Sequence, residues 1–505
     1  MKITFRENEF WYGGYVYGSS SMPVAPGENK VIDLRVNLSP NQAAPLLLSS
    51  KGRYIWGEEG FLAEFRENEL TITGEVQVSD TEGTLKDAYL EAMRDHFPFG
   101  EKKLDERMVR QPVYNTWIEL TFYQNEKDVL KYAHSILEND LPAGILMIDD
   151  GWSDYYGRWT FNYEKFPHAK EMIAELHQMG FTVMLWLCPF VTADTLAYRQ
   201  ARDMDILIKN TNGKPMITEW WNGYSASLDL SNPEALRWLK TQLDALQDLG
   251  VDGFKFDAGD CCFYPESMVT KGNVTPGEMC RLWCTFGEQY TLNEFRAAWK
   301  AGGMALMQRL CDKPHDWSIH GVNALLPDTL AQGILGMPFG SPDMIGGGEY
   351  LNFQENSDRL DEELFVRHGE IACLLPVMQF SAAPWRVLKK ENFEKVRECV
   401  RTRENYSAYM ERVWHHAEET GEPMVRYMEY EFPGQGMEQV NTQFMLGDRL
   451  LVAPICEKGN NSRYVDLPEG KWEQEDHTVL DGGKRIILDG KPGIHLDKDT
   501  TPFPR

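Results

Sequence analysis

Residues 251–260 read VDGFKFDAGD, a short apolar run that ends on the carboxylate of Asp257. The residues before it, PEALRWLKTQLDALQDLG (233–250), carry apolar side chains at helical spacing, with Pro233 in the first turn and Gly250 past the end. A helix followed by a buried strand is half of a parallel βα repeat. The alternation continues upstream. QPVYNTWIEL (111–120) precedes a helix near 127–138, GILMIDDGW (144–152) precedes one near 168–179, and FTVMLWLCPF (181–190) follows.

Two architectures satisfy this pattern, a closed barrel and a doubly wound open sheet. No GxGxxG or Walker sequence stands at a strand–helix turn, which argues against a nucleotide-binding sheet. Acidic residues gather where the apolar runs end: Asp149 and Asp150 after GILMI, Asp257 after GFKF, Asp343 after GMPFGSP. Barrel enzymes assemble their sites from the C-terminal ends of several strands. The expected fold class is therefore α/β, a (β/α)8 TIM barrel over residues 109–418. Short alternating runs such as KVIDLRVNL (30–38) and ELTITGEVQV (69–78) make residues 1–108 an N-terminal β domain, sandwich-like. FMLGDRLLVAPI (444–455), SRYVDLPEG (462–470) and KRIILDGKPGIHL (484–496) make 419–505 a C-terminal β domain.

The 505 residues carry a formal charge of −26, which disfavours nucleic acid and anionic membranes as partners. There is no apolar run of membrane-spanning length and no leader-like N-terminus. The nine cysteines are odd in number and form no paired CxxC set, so zinc is not expected, and reduced thiols suit a cytoplasmic location. Aromatic residues reach 12%, with 15 Trp. Such side chains fill cores, but their faces also stack on the apolar side of a pyranose.

Lys255 lies two residues before Asp257 and so shares a strand face with it. A nearby ammonium would keep the carboxylate ionised, as a nucleophile requires. A structural salt bridge at a strand end is the alternative. Asp149 and Asp150 cannot both point inward along a regular strand. At its end they could meet several sugar hydroxyls, or simply build a turn. Trp117, Trp186, Trp220 and Trp221 fall near strand ends or loops, where cleft and core compete. Glycoside cleavage with retention needs a second carboxyl about 5–5.5 Å from the first. Asp312, Asp316, Asp328 and Asp343 remain equal candidates on spacing alone.

Taken together, the motifs resemble those of glycoside hydrolase family 31. GFKFDAGD is similar to its nucleophile segment, a strand ending K-x-D-x-G-[DE]. GILGMPFGSPDMIGGG (333–348) is similar to its G-x-P-x-x-x-x-D-[IM]-G-G segment, and LWLCPFV (185–191) to the strand carrying its Trp-x-x-Pro. WYGG (11–14) and MQFSAAPW (378–385) point to a branch with α-galactosidase activity. The resemblance implies that Asp257 is the nucleophile with Lys255 beside it. Through FRAAWKAGGMALMQRLCDKPHDW (295–317), it implies that Arg296 contacts the innermost sugar and Asp312 is the acid/base, with Asp316 as runner-up and Asp328 structural. It assigns Asp149 or Asp150 to hydroxyls of that sugar and gives Asp343 a supporting role. The family's R-x-H segment is replaced here by MQFSAAPW, and the N-terminal β region is short. Loops of a longer domain are then absent or supplied by a second copy in a homo-oligomer.

The expected function is a retaining, exo-acting α-galactosidase, with no cofactor and a small oligosaccharide or glycoside as its partner. The alternatives are an α-glucosidase, an α-xylosidase or an α-N-acetylgalactosaminidase. A non-catalytic carbohydrate-binding protein on a degenerate barrel is the rival of another class.

Overall fold

The computed structural model describes residues 1–349 and 360–489, together with the backbone of the strand Ile494–Asp497. The expected strand character of residues 491–493 lies outside the described residues.

Eight parallel strands follow one another around a barrel: β1 (Val113–Asn115), β2 (Ile145–Ile148), β3 (Thr182–Leu187), β4 (Gly253–Phe256), β5 (Asn293–Phe295), β6 (Gln308–Arg309), β7 (Gly340–Ser341) and β8 (Gln379–Phe380). Each strand from β1 to β6 pairs with the next, and β8 returns to β1. Between β7 and β8 the closure is made by Val377 N–H to Gly340 O (3.1 Å) and Ile345 N–H to Gln379 O (2.8 Å). β2, β3 and β4 are buried along their whole length, as strands covered on both faces must be.

The helices form where the sequence spacing places them. Glu126–Glu138 follows β1, Ala169–Gln178 follows β2, and Pro233–Asp248 precedes β4. The last is capped by the Asn232 side chain, which accepts from the Glu234 N–H, and Pro233 occupies its first turn. Gly250 ends it at φ 112°, a conformation that side chains with a Cβ rarely adopt.

One crossover departs from the expected repeat. Between β5 and β6 no helix forms. Residues 298–299 instead extend the N-terminal sheet, with Ala298 and Trp299 parallel to Gln42 and Ala43. The strand Gln42–Ser49 is consequently buried on both faces, between the barrel and the N-terminal core. That core (Trp11, Ile32, Leu47, Ile55, Phe61, Ile72) lies between a four-stranded and a five-stranded sheet. The C-terminal sheets close over Met428, Met445, Leu451, Val465 and Trp472. Among the described residues no helix is long and apolar enough to cross a membrane.

Candidate active site

Strand register decides which side chains meet at the barrel mouth. β3 and β4 pair with Trp186 opposite Lys255, so the residue two beyond Lys255 comes within reach of the Trp186 indole. Trp186 Nε1 donates to Asp257 Oδ2 at 2.9 Å. Arg296, just past β5, donates from Nε to Asp257 Oδ1 at 3.1 Å, and the Ala258 N–H adds a third bond at 2.8 Å. Burial alone would raise the pKa of Asp257. Arg296, Lys255 and Arg309 outweigh it and hold the carboxyl well below the ordinary carboxylate range.

The sequence assigned that electrostatic task to Lys255. In the structure its ammonium lies 3.9 Å from Asp257 and is bonded to Asp149 at 2.8 Å. Arg296 is the nearer cation. Its guanidinium also grips Asp260 through two bonds of 2.8 and 2.7 Å, and it lies 5.3 Å from the centre of the Trp221 ring.

The twin aspartates at the end of β2 have different surroundings. Asp149 accepts from Lys255, from Asn115 Nδ2 at 2.8 Å and from the Asp150 N–H at 2.8 Å. Among the described residues Asp150 has no cationic partner: Tyr156 Oη and Asn222 Nδ2 both donate to its Oδ2, at 2.9 and 2.7 Å. Burial, reinforced by Asp149, pushes its pKa up to about 7. Asn222 sits at the tip of a hairpin, Ile217–Trp220 and Gly223–Ser227, inserted after β3.

On the opposite side, Arg309 in β6 donates from one nitrogen to both Asp312 and Asp343, each at 2.7 Å, and from Nε to Glu294 at 3.0 Å. Gln379 in β8 holds the other oxygen of Glu294 at 2.7 Å. MQFSAAPW, the segment that departs from the family pattern, thus supplies an amide to this buried network.

A cavity of about 710 Å³ opens here, walled by Trp117, Asp149, Asp150, Trp186, Trp221, Lys255, Asp257, Arg296 and Asp312. Of the four carboxylates left equal by spacing, only Asp312 lines it, with 43% of its side chain exposed. Asp328 is buried in an ion pair with Lys313 at 2.6 Å, and Asp316 accepts from the Ser318 N–H in a turn.

Two expected substrate contacts are corrected. Trp220 is 5% exposed, turns away from the cavity and donates its indole N–H to Ser225. Its neighbour Trp221 takes the wall position. Asp343 is fully buried beneath the cavity floor, where it accepts from Arg309 and from the Lys313 and Gly348 N–H groups at 2.8 and 2.9 Å. Burial raises its pKa against the pull of Arg309. Sequence reasoning missed Asp260, Glu294, Arg309, Tyr156 and Asn222. Asp260 alone had a signal, as the last residue of GFKFDAGD.

A family model described as the glycosyl hydrolases family 31 TIM-barrel domain matches residues 107–309, and one for that family's C-terminal domain matches 421–502. Together they span more than half of the chain. The chain is 31% identical to the mouse (Mus musculus) myogenesis-regulating glycosidase over 394 residues, covering 75% of this chain and 54% of that protein. It is 24% identical to the α-xylosidase XylQ of Lactiplantibacillus pentosus, covering 73% of this chain and 50% of that protein. The chain thus spans about half the length of these curated relatives. A family 31 dextranase from Flavobacterium johnsoniae, solved with glucose, superposes with a TM-score of 0.85 at 18% identity, over 99% of this chain and 66% of that one, and so shares its fold.

Proposed function

The chain belongs to glycoside hydrolase family 31, and on that premise we propose that it is a retaining, exo-acting α-glycosidase whose substrates are terminal α-galactosides. The observation that carries this reading is the ionised Asp257, bonded by Arg296 and Trp186, lining the same cavity as the solvent-accessible Asp312.

Asp257 attacks the anomeric carbon as the bond to the leaving oxygen breaks, and Asp312 gives that oxygen its proton. A glycosyl ester on Asp257 results. Asp312, now a carboxylate, takes a proton from water, the water oxygen displaces Asp257, and the sugar leaves with its configuration retained. Arg296 withdraws charge from Asp257 in the free enzyme, and Arg309 orients Asp312 through its 2.7 Å bond. Neither reacts. The galactose preference rests on Asp149 and Asp150, two acceptors side by side at the cavity floor. They suit an axial hydroxyl and its neighbour, and a sugar lacking the axial group would make fewer bonds to this pair. The nine unpaired cysteines suit a reducing, cytoplasmic setting.

The test is hydrolysis of p-nitrophenyl α-galactoside, α-glucoside, α-xyloside and α-N-acetylgalactosaminide side by side, with Asp257→Ala and Asp312→Ala as controls. A galactoside preference abolished in Asp257→Ala and strongly reduced in Asp312→Ala supports the proposal. Preference for xyloside, the sugar named for the relative XylQ, keeps the mechanism and discards the galactose assignment. No hydrolysis of any of them, with sugar binding retained, makes the chain a carbohydrate-binding protein.

A further inference from the structure

A second pocket, about 360 Å³ in volume, adjoins the active-site cavity and shares Tyr17, Leu38 and Ser39 with it. Tyr15, Val36 and Trp299 continue its wall into the N-terminal domain. The shared wall stands beside the loop that carries Asp312. The Lys313 ammonium lies 6.0 Å from the centre of the Tyr17 ring, and His320 stacks on the same ring at 5.8 Å. A group departing toward Asp312 therefore meets this wall next.

Three of the polar side chains lining the second pocket, Asp33, Asn37 and Ser39, are already bonded within the chain. The Asn37 amide donates to the Asn41 and Ala298 carbonyls, and its oxygen accepts from the Ser39 hydroxyl. Asp33 is bonded to the Arg35 guanidinium through both oxygens. A second sugar ring lodged here would lose water from several hydroxyls and find few replacements. An alkyl or aryl group has no hydroxyls to desolvate and gains burial against aromatic and aliphatic side chains. Leu38 points the same way, since 69% of this leucine is exposed at the junction of the two pockets.

We propose that this annex is a leaving-group subsite for the apolar aglycone of an alkyl or aryl α-glycoside. The assignment rests on the glycosidase reading above and narrows its substrate to glycosides with a hydrophobic arm.

The test is calorimetric titration of the Asp257→Ala protein with methyl, octyl and phenyl α-galactosides, the same three α-glucosides, and an α-galactosyl-glucose disaccharide. Octyl or phenyl glycosides should bind at least tenfold more tightly than methyl, and the disaccharide no more tightly than methyl. Val36→Ser and Leu38→Ser, two variants so that one folding failure does not decide the matter, should each reduce the gain at least threefold. A gain for octyl alone assigns an alkyl arm, and for phenyl alone an aryl arm. No gain for either, a gain unchanged in both variants, or tighter binding of the disaccharide overturns the subsite. An octyl or phenyl gain without turnover by the intact enzyme sinks the glycosidase reading and the leaving-group role with it, leaving only an apolar binding pocket. Turnover without the gain keeps the glycosidase reading and overturns the subsite alone.

Discussion

Asn222 donates a hydrogen bond to Asp150 at 2.7 Å, so the tip of the hairpin inserted after β3 is fastened to the end of β2. The same amide reaches Tyr156 Oη at 2.8 Å, and the three groups form a closed triangle around one carboxylate oxygen. Asn222→Ala removes a donor to a buried carboxyl. Bonds of this type contribute about 1.5–3 kcal/mol when the acceptor is charged. A roughly 10–100-fold fall in kcat/KM is expected, carried mainly by KM. Unchanged steady-state kinetics in the variant would show that Asp150 is oriented without the hairpin.

Asp150 also makes stability depend on pH. Its pKa is raised from 3.8 to about 7 in the folded protein, so the native state holds a proton that the unfolded chain releases between those values. The associated stability is fully present below the unfolded pKa and is lost as pH rises through the folded one. Urea denaturation at several values across that window should show the wild type losing on the order of 1–4 kcal/mol relative to Asp150→Asn. Parallel stability profiles for the two proteins would contradict the shift.

Gly348 faces Asp312 closely. A Cβ at that position would stand 3.0 Å from Asp312 Cγ and 2.6 Å from Met344 Cε. Gly348→Ala should therefore displace the proposed acid while leaving the barrel folded. Small misplacements of a reacting group can lower rates roughly 100-fold. The expected result is a kcat at least tenfold lower with a melting temperature within a few degrees of wild type. Full activity in the variant would separate Asp312 from proton transfer.

Lys313 and Asp328 form a 2.6 Å pair in which each side chain is 1% exposed. Lys313→Met leaves a buried carboxylate without its cation, and losses of about 3–5 kcal/mol are typical of such a break. Adding Asp328→Leu should recover much of that loss, as judged by chemical denaturation. A single variant as stable as wild type would mean that Asp328 is neutral in the native protein.

The barrel and its acidic rim were legible because strand and helix periods differ and because carboxylates interrupt apolar runs at strand ends. The missing crossover helix went unread, although Gly302 and Gly303 make AWKAGGMAL a poor helix. The division of labour in the Trp220–Trp221 pair was not legible either: both were expected at the cleft, and Trp221 lies just past the strand Ile217–Trp220, so which ring reaches the cavity depends on how the hairpin packs. Asn222 was not legible. It lies on an inserted hairpin whose approach to Asp150 depends on tertiary packing and has no counterpart in local spacing. The contacts of Arg309 with Asp343 and Glu294 likewise join three different strand ends. Spacing alone left the four late carboxylates equal; the family resemblance pointed to Asp312, and in the folded chain Asp312 is the one of the four that lines the cavity.

The strand pairing of Ala298 with Gln42, and the bond from Arg296 to the Pro40 carbonyl across 256 positions, have a consequence for biosynthesis. At roughly 5–20 residues per second, the ribosome delivers the partner of this edge on the order of ten seconds to a minute after the edge itself has emerged. During that interval the nascent chain carries an open sheet margin that only its own later sequence can cover, and chaperone engagement should concentrate on that window.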